Sequence, residues 1–406
     1  MPRGLRRILA YWRAERRTIT QGVVALVIAT AGSLTAGIVL GEITGTLERL
    51  PGLMVLVPAA IATRGNIFGA LSSRLGTSIH AGLFEPTRER EGVLYQNVYA
   101  ATVLTFAISL LLALLAKTLS EAFGLTTISL LDFVVIALVG GVLASIFVAA
   151  FAILLSIRAH RRGWDLDSVA APLVTASGDM FTIPALFLAS FVVGIRWVTA
   201  SVAVVVILGS LAITVIGTFT NLPVARRVIR ESFPILLVAG TIDVLAGLAL
   251  QTRMNEFVSL PALLMLIPPI LGNAGGLGGM LSARLASKLH LGVLSARGRP
   301  EALALLDFSI VVLIAVATFP VLGLAADVMA ALLDLASPGA VQMMGITLLA
   351  GMMATAIGAL VAYYTAVASY RVGLDPDNHG IPMITSSMDF FGVVSIVLAL
   401  VVFGIA

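Results

Sequence analysis

The chain has 406 residues, of which 59% are hydrophobic and only 11% are charged, and its mean hydropathy is +1.07. Soluble domains carry about a quarter charged residues, so this composition excludes an ordinary soluble protein. The chain has no cysteine, which excludes disulfides and thiolate metal sites, and its four histidines form no histidine-rich tract that would indicate zinc. The net charge is +4, but the basic residues flank apolar runs, so we expect no nucleic-acid partner.

The first 19 residues are rich in arginine and precede the first apolar run. A cleaved signal peptide has a shorter apolar region and a small-residue cleavage site, whereas the run that follows here has full transmembrane length. We therefore expect residues 1–19 to form an amphipathic helix on the cytosolic face of the membrane.

Long apolar runs recur along almost the whole chain, and each is long enough to cross a hydrocarbon core of about 30 Å. They predict an all-α, polytopic membrane protein that is embedded in the lipid bilayer. The predicted spans number eleven and lie at about residues 20–41, 53–80, 93–116, 128–157, 169–194, 197–219, 234–251, 260–289, 303–333, 340–369 and 381–405.

Lysine and arginine are distributed unevenly between the two sides of the predicted membrane. If the N-terminus is cytosolic, 20 of the 25 basic residues fall in cytosolic segments or at cytosolic helix ends. The positive-inside rule requires such an asymmetry, and one miscounted span would destroy it. The pattern predicts a multi-pass protein of the plasma membrane with its N-terminus in the cytosol and its C-terminus outside.

Two pairs of segments align when the chain is shifted by 210 residues. Residues 58–82 overlay 268–292 with nine identical positions in twenty-five, and residues 165–181 overlay 375–391. One unbroken offset across more than a hundred intervening residues indicates an internal duplication. The predicted units are a first five-helix repeat at 20–195, a linking helix with a cytosolic loop at 196–229, and a second five-helix repeat at 230–406.

The sixth predicted span has no counterpart in this duplication. Five spans per repeat would invert the second copy, and the extra crossing restores its orientation. The repeats are therefore predicted to be parallel about an axis along the membrane normal. Such a chain imitates a two-fold homodimer with a site along the pseudo-axis, and the duplication allows it to act as a monomer.

Three aspartates lie well within predicted spans: Asp179, Asp389 and Asp243. An aspartate at mid-bilayer costs at least about 2.5 kcal/mol, so it is normally functional or paired. Asp179 and Asp389 end matching P-x-x-T-x-x-x-D blocks at the same predicted depth, whereas the position equivalent to Asp243 is Ser33.

In a parallel pair of repeats, Asp179 and Asp389 face each other across the axis, where a divalent cation would neutralise both charges. Carboxylate oxygens are hard ligands that suit Mg²⁺, which keeps most of its waters. Nearby hydroxyls are predicted to bind those waters, namely Thr175, Ser177, Thr385 and Ser387. Asp243 is a further candidate for the ion path. The structural alternative for Asp179 is a hydrogen bond or a salt bridge, for example to Arg64.

Glycine-rich segments occupy equivalent places in the second and eighth predicted spans, around Gly65-Asn66 and at 272–279. Small residues in membrane helices commonly indicate close packing. The alternative is a broken or closely approached helix whose carbonyls, with Asn66 or Asn273, line an ion path. Asn273 lies three residues upstream of the position equivalent to Asn66, so we do not expect the two amides to act alike. No Lys-Ser/Thr follows the glycines, which excludes a phosphate loop.

At these residues the chain resembles the MgtE / solute carrier family 41 magnesium transporters. The resemblance rests on the segment 58–74, its copy at 268–284, and the blocks that end in Asp179 and Asp389. It implies a two-fold pair of five-helix units, with Mg²⁺ as the transported ion and the two aspartates as its ligands. The tandem duplication resembles the solute-carrier branch. The chain carries no cytosolic N-domain or CBS domains like those of bacterial members, so no magnesium-sensing gate of that kind is expected.

Other functions fit part of the pattern. A transporter of Mn²⁺, Co²⁺ or another divalent metal differs only in its cation. An intramembrane aspartyl protease also needs two membrane aspartates, but it uses two unlike sequence contexts whereas these are copies, and we expect no enzyme. A scaffold would use the polar residues only to hold helices together.

Four further aspartates precede the fifth and eleventh predicted spans on the cytosolic side: Asp165, Asp167, Asp375 and Asp377. Carboxylates at helix N-termini commonly cap the helix. The functional alternative is an acidic vestibule that concentrates cations.

Overall fold

The structure is a computed structural model that describes residues 3–80, 82, 84, 87, 89–162, 166–372 and 376–405. Its helices are α1 (Arg3–Ala14), α2 (Arg16–Glu42), α3 (Thr44–Arg49), α4 (Leu53–His80), α5 (Val93–Ala122), α6 (Leu130–Val135), α7 (Gly141–Arg162), α8 (Leu166–Ser190), α9 (Arg196–Thr218), α10 (Pro223–Gln251), α11 (Met254–Ser259), α12 (Ile267–His290), α13 (Ala302–Leu332), α14 (Ala340–Val372) and α15 (Pro376–Val402). A π-helical segment, Ile136–Gly140, joins α6 to α7, and a 3₁₀ segment, Pro261–Leu266, leads into α12.

Eleven helical stretches in this described part of the chain are long and apolar enough to cross a membrane. They confirm the predicted all-α class and the number of spans. The largest boundary difference is at the seventh span, which begins at Pro223 rather than near residue 234. Proline at the first helical position has the backbone angle that a helix start requires, so the helix includes the basic stretch that the sequence analysis assigned to a loop.

The helices recur at the offset of 210 residues. The short helices α3 and α11 differ by 210 at both ends, and so do the stretch from α6 through α7 and helix α14. Six long helices separate the start of α2 from the start of α10, so equivalent helices run in the same direction if each crosses the bilayer once. The parallel orientation of the two repeats across the bilayer stays a prediction.

Each repeat packs its first long helix against the other repeat. Gly37 of α2 lies against the backbone carbonyl of Met265, and Gly247 of α10 lies against the backbone carbonyl of Val55. These contacts are equivalent, because both the glycines and the carbonyls are 210 residues apart. Only glycine allows so close an approach of two backbones. The interface between the repeats is therefore a two-fold exchange of α2 and α10.

Helix α9, which has no counterpart, lies at the periphery against α5 and α6. Its Ser210 is buried and donates to the backbone oxygen of Phe106 at 3.0 Å. Most of its large apolar side chains are exposed, including Val205, Leu208 and Ile216. An apolar surface of this extent is typical of a helix that faces lipid.

Helix α1 occupies Arg3–Ala14 of the predicted segment 1–19, and it contacts the second repeat. Tyr11 donates its hydroxyl to Asp307 at 2.8 Å, and the Trp12 indole donates to Ser309 at 3.0 Å. Burial raises the pKa of Tyr11 above its ordinary value, so its hydroxyl remains a donor. These bonds attach the N-terminal segment to the start of α13.

Candidate functional site

Asp179 lies on α8 at the boundary between the two repeats. Its side chain is only 4% exposed, and its Oδ2 accepts a hydrogen bond from the Ser33 hydroxyl of α2. Gly272 of α12 faces the same oxygen, since a Cβ added there would lie 3.3 Å from Asp179 Oδ2. A first-repeat carboxylate thus faces a second-repeat glycine, where a larger side chain would crowd it.

Two more aspartates lie on the second repeat's side of this boundary. Asp243 of α10 is fully buried, and its Oδ2 accepts from the Ser386 hydroxyl of α15 at 3.0 Å. Asp389, three residues further along α15, is partly buried. Asp389 lies within electrostatic range of both Asp243 and Asp179. Asp389 is therefore the aspartate that lies within electrostatic range of the other two.

The two asparagines each bond to the other repeat, but with unlike partners. Asn66 accepts from Thr385 of α15 at 2.8 Å. Asn273 donates to Thr30 of α2 at 2.9 Å. This agrees with the expectation that the amides do not act alike. The Asn66 amide nitrogen is buried and has no hydrogen-bond partner in the described part of the chain.

The predicted hydroxyls take different positions. Thr385 bonds to Asn66 across the repeats, and Thr175 packs against Gly65, where an added Cβ would lie 3.3 Å from its Cγ2. Ser177 donates to the Val174 carbonyl of its own helix at 2.7 Å, and Ser387 is partly buried. The Ser177 hydrogen is therefore used within its own helix, and the lone pairs of this hydroxyl remain available to accept from bound waters.

The glycine-rich segments are continuous helix, so the alternative of a broken helix is wrong for α4 and α12. Their glycines serve close approach instead. A Cβ on Gly178 of α8 would lie 3.3 Å from the Gly65 backbone nitrogen. The carbonyls of these segments are engaged in helical hydrogen bonds, and the amide side chains supply the polar groups at the boundary.

Arg64 is buried but does not pair with Asp179. Its guanidinium donates to Ser109 at 2.6 Å and to the Ala60 carbonyl at 3.2 Å, and it fills the space beside Gly141 of α7. Arg64 and Asp179, which the structure describes, therefore do not form the salt bridge that would have given Asp179 a structural role. Asp179 instead points away from Arg64, toward α2 and α12.

A small, partly open cleft lies between α4, α5, α10 and α15. Asn66 lines this cleft, together with Arg74, Ser232 and Pro382 among other residues. Arg74 donates to Asn97 at 2.7 Å. The cleft gives the buried amide of Asn66 a connection to space between the helices.

Sequence reasoning missed Thr30 and Ser386 as polar contacts at the boundary, and it named Ser33 only as the counterpart of Asp243. The available signal was the offset of 210, which pairs Ser33 with Asp243 on equivalent helices. In the described part of the chain, no three His, Cys, Asp or Glu side chains meet in a metal-binding arrangement. A cation here would retain much of its water, as Mg²⁺ commonly does.

The choice between helix caps and an acidic vestibule stays open for the four aspartates that precede the fifth and eleventh predicted spans. Asp165, Asp167, Asp375 and Asp377 lie outside the residues whose side chains the structure describes. Their roles as caps or as a vestibule therefore remain predictions.

The sequence profile of the MgtE family, described as a divalent cation transporter, matches residues 57–189 and again residues 267–399. The two matches differ by 210 residues at both ends, which is the offset of the helices and of the interface glycines. The profile thus recognises one family unit in each repeat.

Curated relatives agree with this match. Solute carrier family 41 member 3 of Rattus norvegicus is 26% identical over 92% of this chain and 85% of its own length. Its Mus musculus counterpart is 26% identical over 92% of this chain and 80% of its own length. Member 2 of Xenopus laevis is 25% identical over 67% of this chain and 49% of its own length. No solved structure matches. With two profile matches that together cover more than half of its length, the chain belongs to the MgtE / solute carrier family 41 family of divalent cation transporters.

Proposed function

We propose that this protein transports Mg²⁺ across a membrane, along a path between the two repeats, with Asp179 and Asp389 as its ligands. The observation that carries the proposal is the position of Asp179, which faces Gly272 of the other repeat while in electrostatic range of Asp389. Like charges at such a boundary repel each other, and a divalent cation between them removes that repulsion.

The chemistry of the boundary favours a hard cation. The polar groups are carboxylates, hydroxyls and amides from Asp179, Asp389, Thr385 and Asn66. Oxygen ligands of this kind suit Mg²⁺, whereas Co²⁺ gains more from imidazole or sulfur ligands. Mg²⁺ also needs few protein ligands, because it releases its waters reluctantly. Mn²⁺ shares the preference for oxygen and is the closest competing cation.

The membrane context follows from the charge distribution. We place the N-terminus in the cytosol, the C-terminus outside and the protein in the plasma membrane, because this orientation puts 20 of 25 basic residues on the cytosolic side. The exchange of α2 and α10 within one chain provides the contacts that a two-fold dimer would otherwise supply, which supports function as a monomer.

The test is Mg²⁺ flux into proteoliposomes that contain an Mg²⁺ indicator. Asp179→Asn and Asp389→Asn should each abolish flux, because each removes a ligand charge while keeping the side-chain shape. Asp132→Asn is the matched control, since Asp132 lies in a helix cap with Ser129, away from the boundary. Its flux should equal that of the unmodified chain.

Flux that persists in the double Asp179→Asn, Asp389→Asn variant would contradict the proposal. A scaffold role predicts instead that Asp179→Asn lowers thermal stability equally with and without Mg²⁺, with no flux in any variant. Competition by Mn²⁺ and Co²⁺ in the same vesicles then ranks the cations, and we expect Mg²⁺ to compete best.

A further inference from the structure

Ser33 and Asp243 occupy equivalent positions on α2 and α10 but differ in charge. In the first repeat the hydroxyl is on α2 and the carboxylate, Asp179, is on α8. In the second repeat the carboxylate is on α10 and the hydroxyl, Ser386, is on α15, which also carries Asp389. The contact of α2 with α8 therefore carries one carboxylate, Asp179. The equivalent contact of α10 with α15 carries two, Asp243 and Asp389.

Asp243 has no structural partner that accounts for its charge. Its Oδ2 accepts from Ser386, but its buried Oδ1 has no hydrogen-bond partner in the part of the chain that the structure describes. The basic residues of the adjacent α4 are engaged elsewhere, Arg64 with Ser109 and Arg74 with Asn97. An ionised aspartate in this position costs stability unless a proton or a cation neutralises it.

The Ser386 hydroxyl that donates to Asp243 lies three residues before another carboxylate, Asp389, on α15. Asp389 lies within electrostatic range of Asp243, and Asp179 lies within range of Asp389. These three carboxyl groups extend from the boundary into the second repeat, and each carries a negative charge when it is ionised. A divalent cation among them is attracted more strongly to the half with two carboxylates, because attraction grows with charge and falls with distance.

We infer that Asp243 is the third carboxylate of the cation site, that the divalent cation rests nearer the second repeat than the first, and that Ser33 marks the neutral equivalent position. This inference rests on the proposed function, and it deepens it by making the two halves of the site unequal. Asp243 acts through its charge and through waters that the cation retains. It is thus a residue that sets affinity for the divalent cation, distinct from the duplicated pair.

The duplication supplies its own test variants. Asp243→Ser gives the second repeat the side chain of the first, and Ser33→Asp in that background moves the third carboxylate to the equivalent place. The measurement is the Mg²⁺ concentration that gives half-maximal flux in proteoliposomes. Asp243→Ser should raise it about tenfold or more, equal to a loss of at least about 1.4 kcal/mol of binding. The double variant should return it to within about threefold of the original.

An unchanged half-maximal concentration in Asp243→Ser, or a double variant that binds no better than Asp243→Ser, would overturn the inference. A chain that transports no Mg²⁺ before any substitution contradicts the proposed function itself, which is a separate result. Each variant is first compared with the unmodified protein by gel filtration in detergent to establish that it folds.

If Ser33→Asp disturbs folding, a second set separates charge from hydrogen bonding. Asp243→Glu keeps the charge and should stay within about threefold of the original half-maximal concentration, whereas Asp243→Asn should match Asp243→Ser. Ser386→Ala removes the hydroxyl that donates to Asp243 and leaves the charge in place. It should change the half-maximal concentration less than Asp243→Asn does, and equal effects of these two substitutions would overturn the inference.

Discussion

Equivalent grooves in the two repeats hold opposite kinds of side chain. At Gly141 of α7 the groove holds the Arg64 guanidinium beside Ser109, whereas at Gly351 of α14 it holds the ring of Phe319. Phe319 is the counterpart of Ser109. The backbone differs as well, because the segment before Gly141 is π-helical and the equivalent part of α14 is α-helical. The glycine that opens the groove is shared, but the group that fills it is not.

A second difference lies at the ends of α4 and α12. Arg74 of the first repeat meets the neutral amide of Asn97 at 2.7 Å. Its counterpart Arg284 meets the carboxylate of Asp307 at 2.8 Å, and Lys288 meets the same carboxylate at 2.6 Å. The second repeat therefore carries an ion network, to which α1 also attaches, where the first carries one neutral acceptor.

The close backbone contacts between the repeats do not differ in this way. Gly37 and Gly247 make the same approach to a backbone carbonyl of the other repeat. A two-fold interface constrains both copies of a position at once, whereas a groove inside one repeat constrains only that repeat. The frame, meaning the exchange of α2 and α10 between the repeats, is therefore symmetric. The charged side chains that pack within each repeat are not.

The largest expected effect concerns the ion network. Asp307→Asn copies Asn97 into the second repeat and leaves Arg284 and Lys288 facing a neutral amide. Asp307 is the buried member of this network, whereas Arg284 keeps Glu15 as a partner and Lys288 is partly exposed, so we expect a loss of roughly 3 kcal/mol of stability. Heating of detergent-purified protein followed by gel filtration measures it. The reverse change, Asn97→Asp beside Arg74, should not destabilise, and a comparable loss there would contradict the difference between the repeats.

The next effect tests the symmetry of the frame. Gly37→Ala and Gly247→Ala each place a methyl group against a backbone carbonyl that cannot move cheaply. Overpacking of this kind costs up to about 3 kcal/mol, and the two losses should be similar. Gly209→Ala is the control, because an added Cβ there meets nothing within 4 Å. Markedly unequal losses in the same heating assay would show that the exchange is not two-fold.

A smaller effect concerns the unlike grooves. Ser109→Phe alone crowds the groove that Arg64 occupies and should destabilise by about 2 kcal/mol. Arg64→Ala with Ser109→Phe copies the pair Ala274 and Phe319 and should recover most of that loss. The heating assay applied to both variants measures the recovery. Equal losses in the single and double variants would mean that the two grooves are not interchangeable.

The sequence predicted the spans, the duplication and the duplicated aspartates, because apolar length and an offset of 210 residues are properties of the chain alone. It did not predict that Ser33 bonds to Asp179, since that contact depends on how α2 packs against α8. Nor did it predict the partner of Arg64, because a buried guanidinium can satisfy itself with Ser109 and a carbonyl as well as with a carboxylate. Side-chain partners between distant helices are set by packing, which no local pattern reports.

We propose that a divalent cation lies at the boundary of the repeats, among Asp179, Asp389 and Asp243. The most direct measurement is a pair of high-resolution density maps of the protein, one in Mg²⁺ and one in a chelator. We expect density in the Mg²⁺ map alone, between Asp179 and Asp389 and displaced toward Asp243. Identical maps at these three carboxylates, or Mg²⁺ density only elsewhere in the molecule, would contradict it.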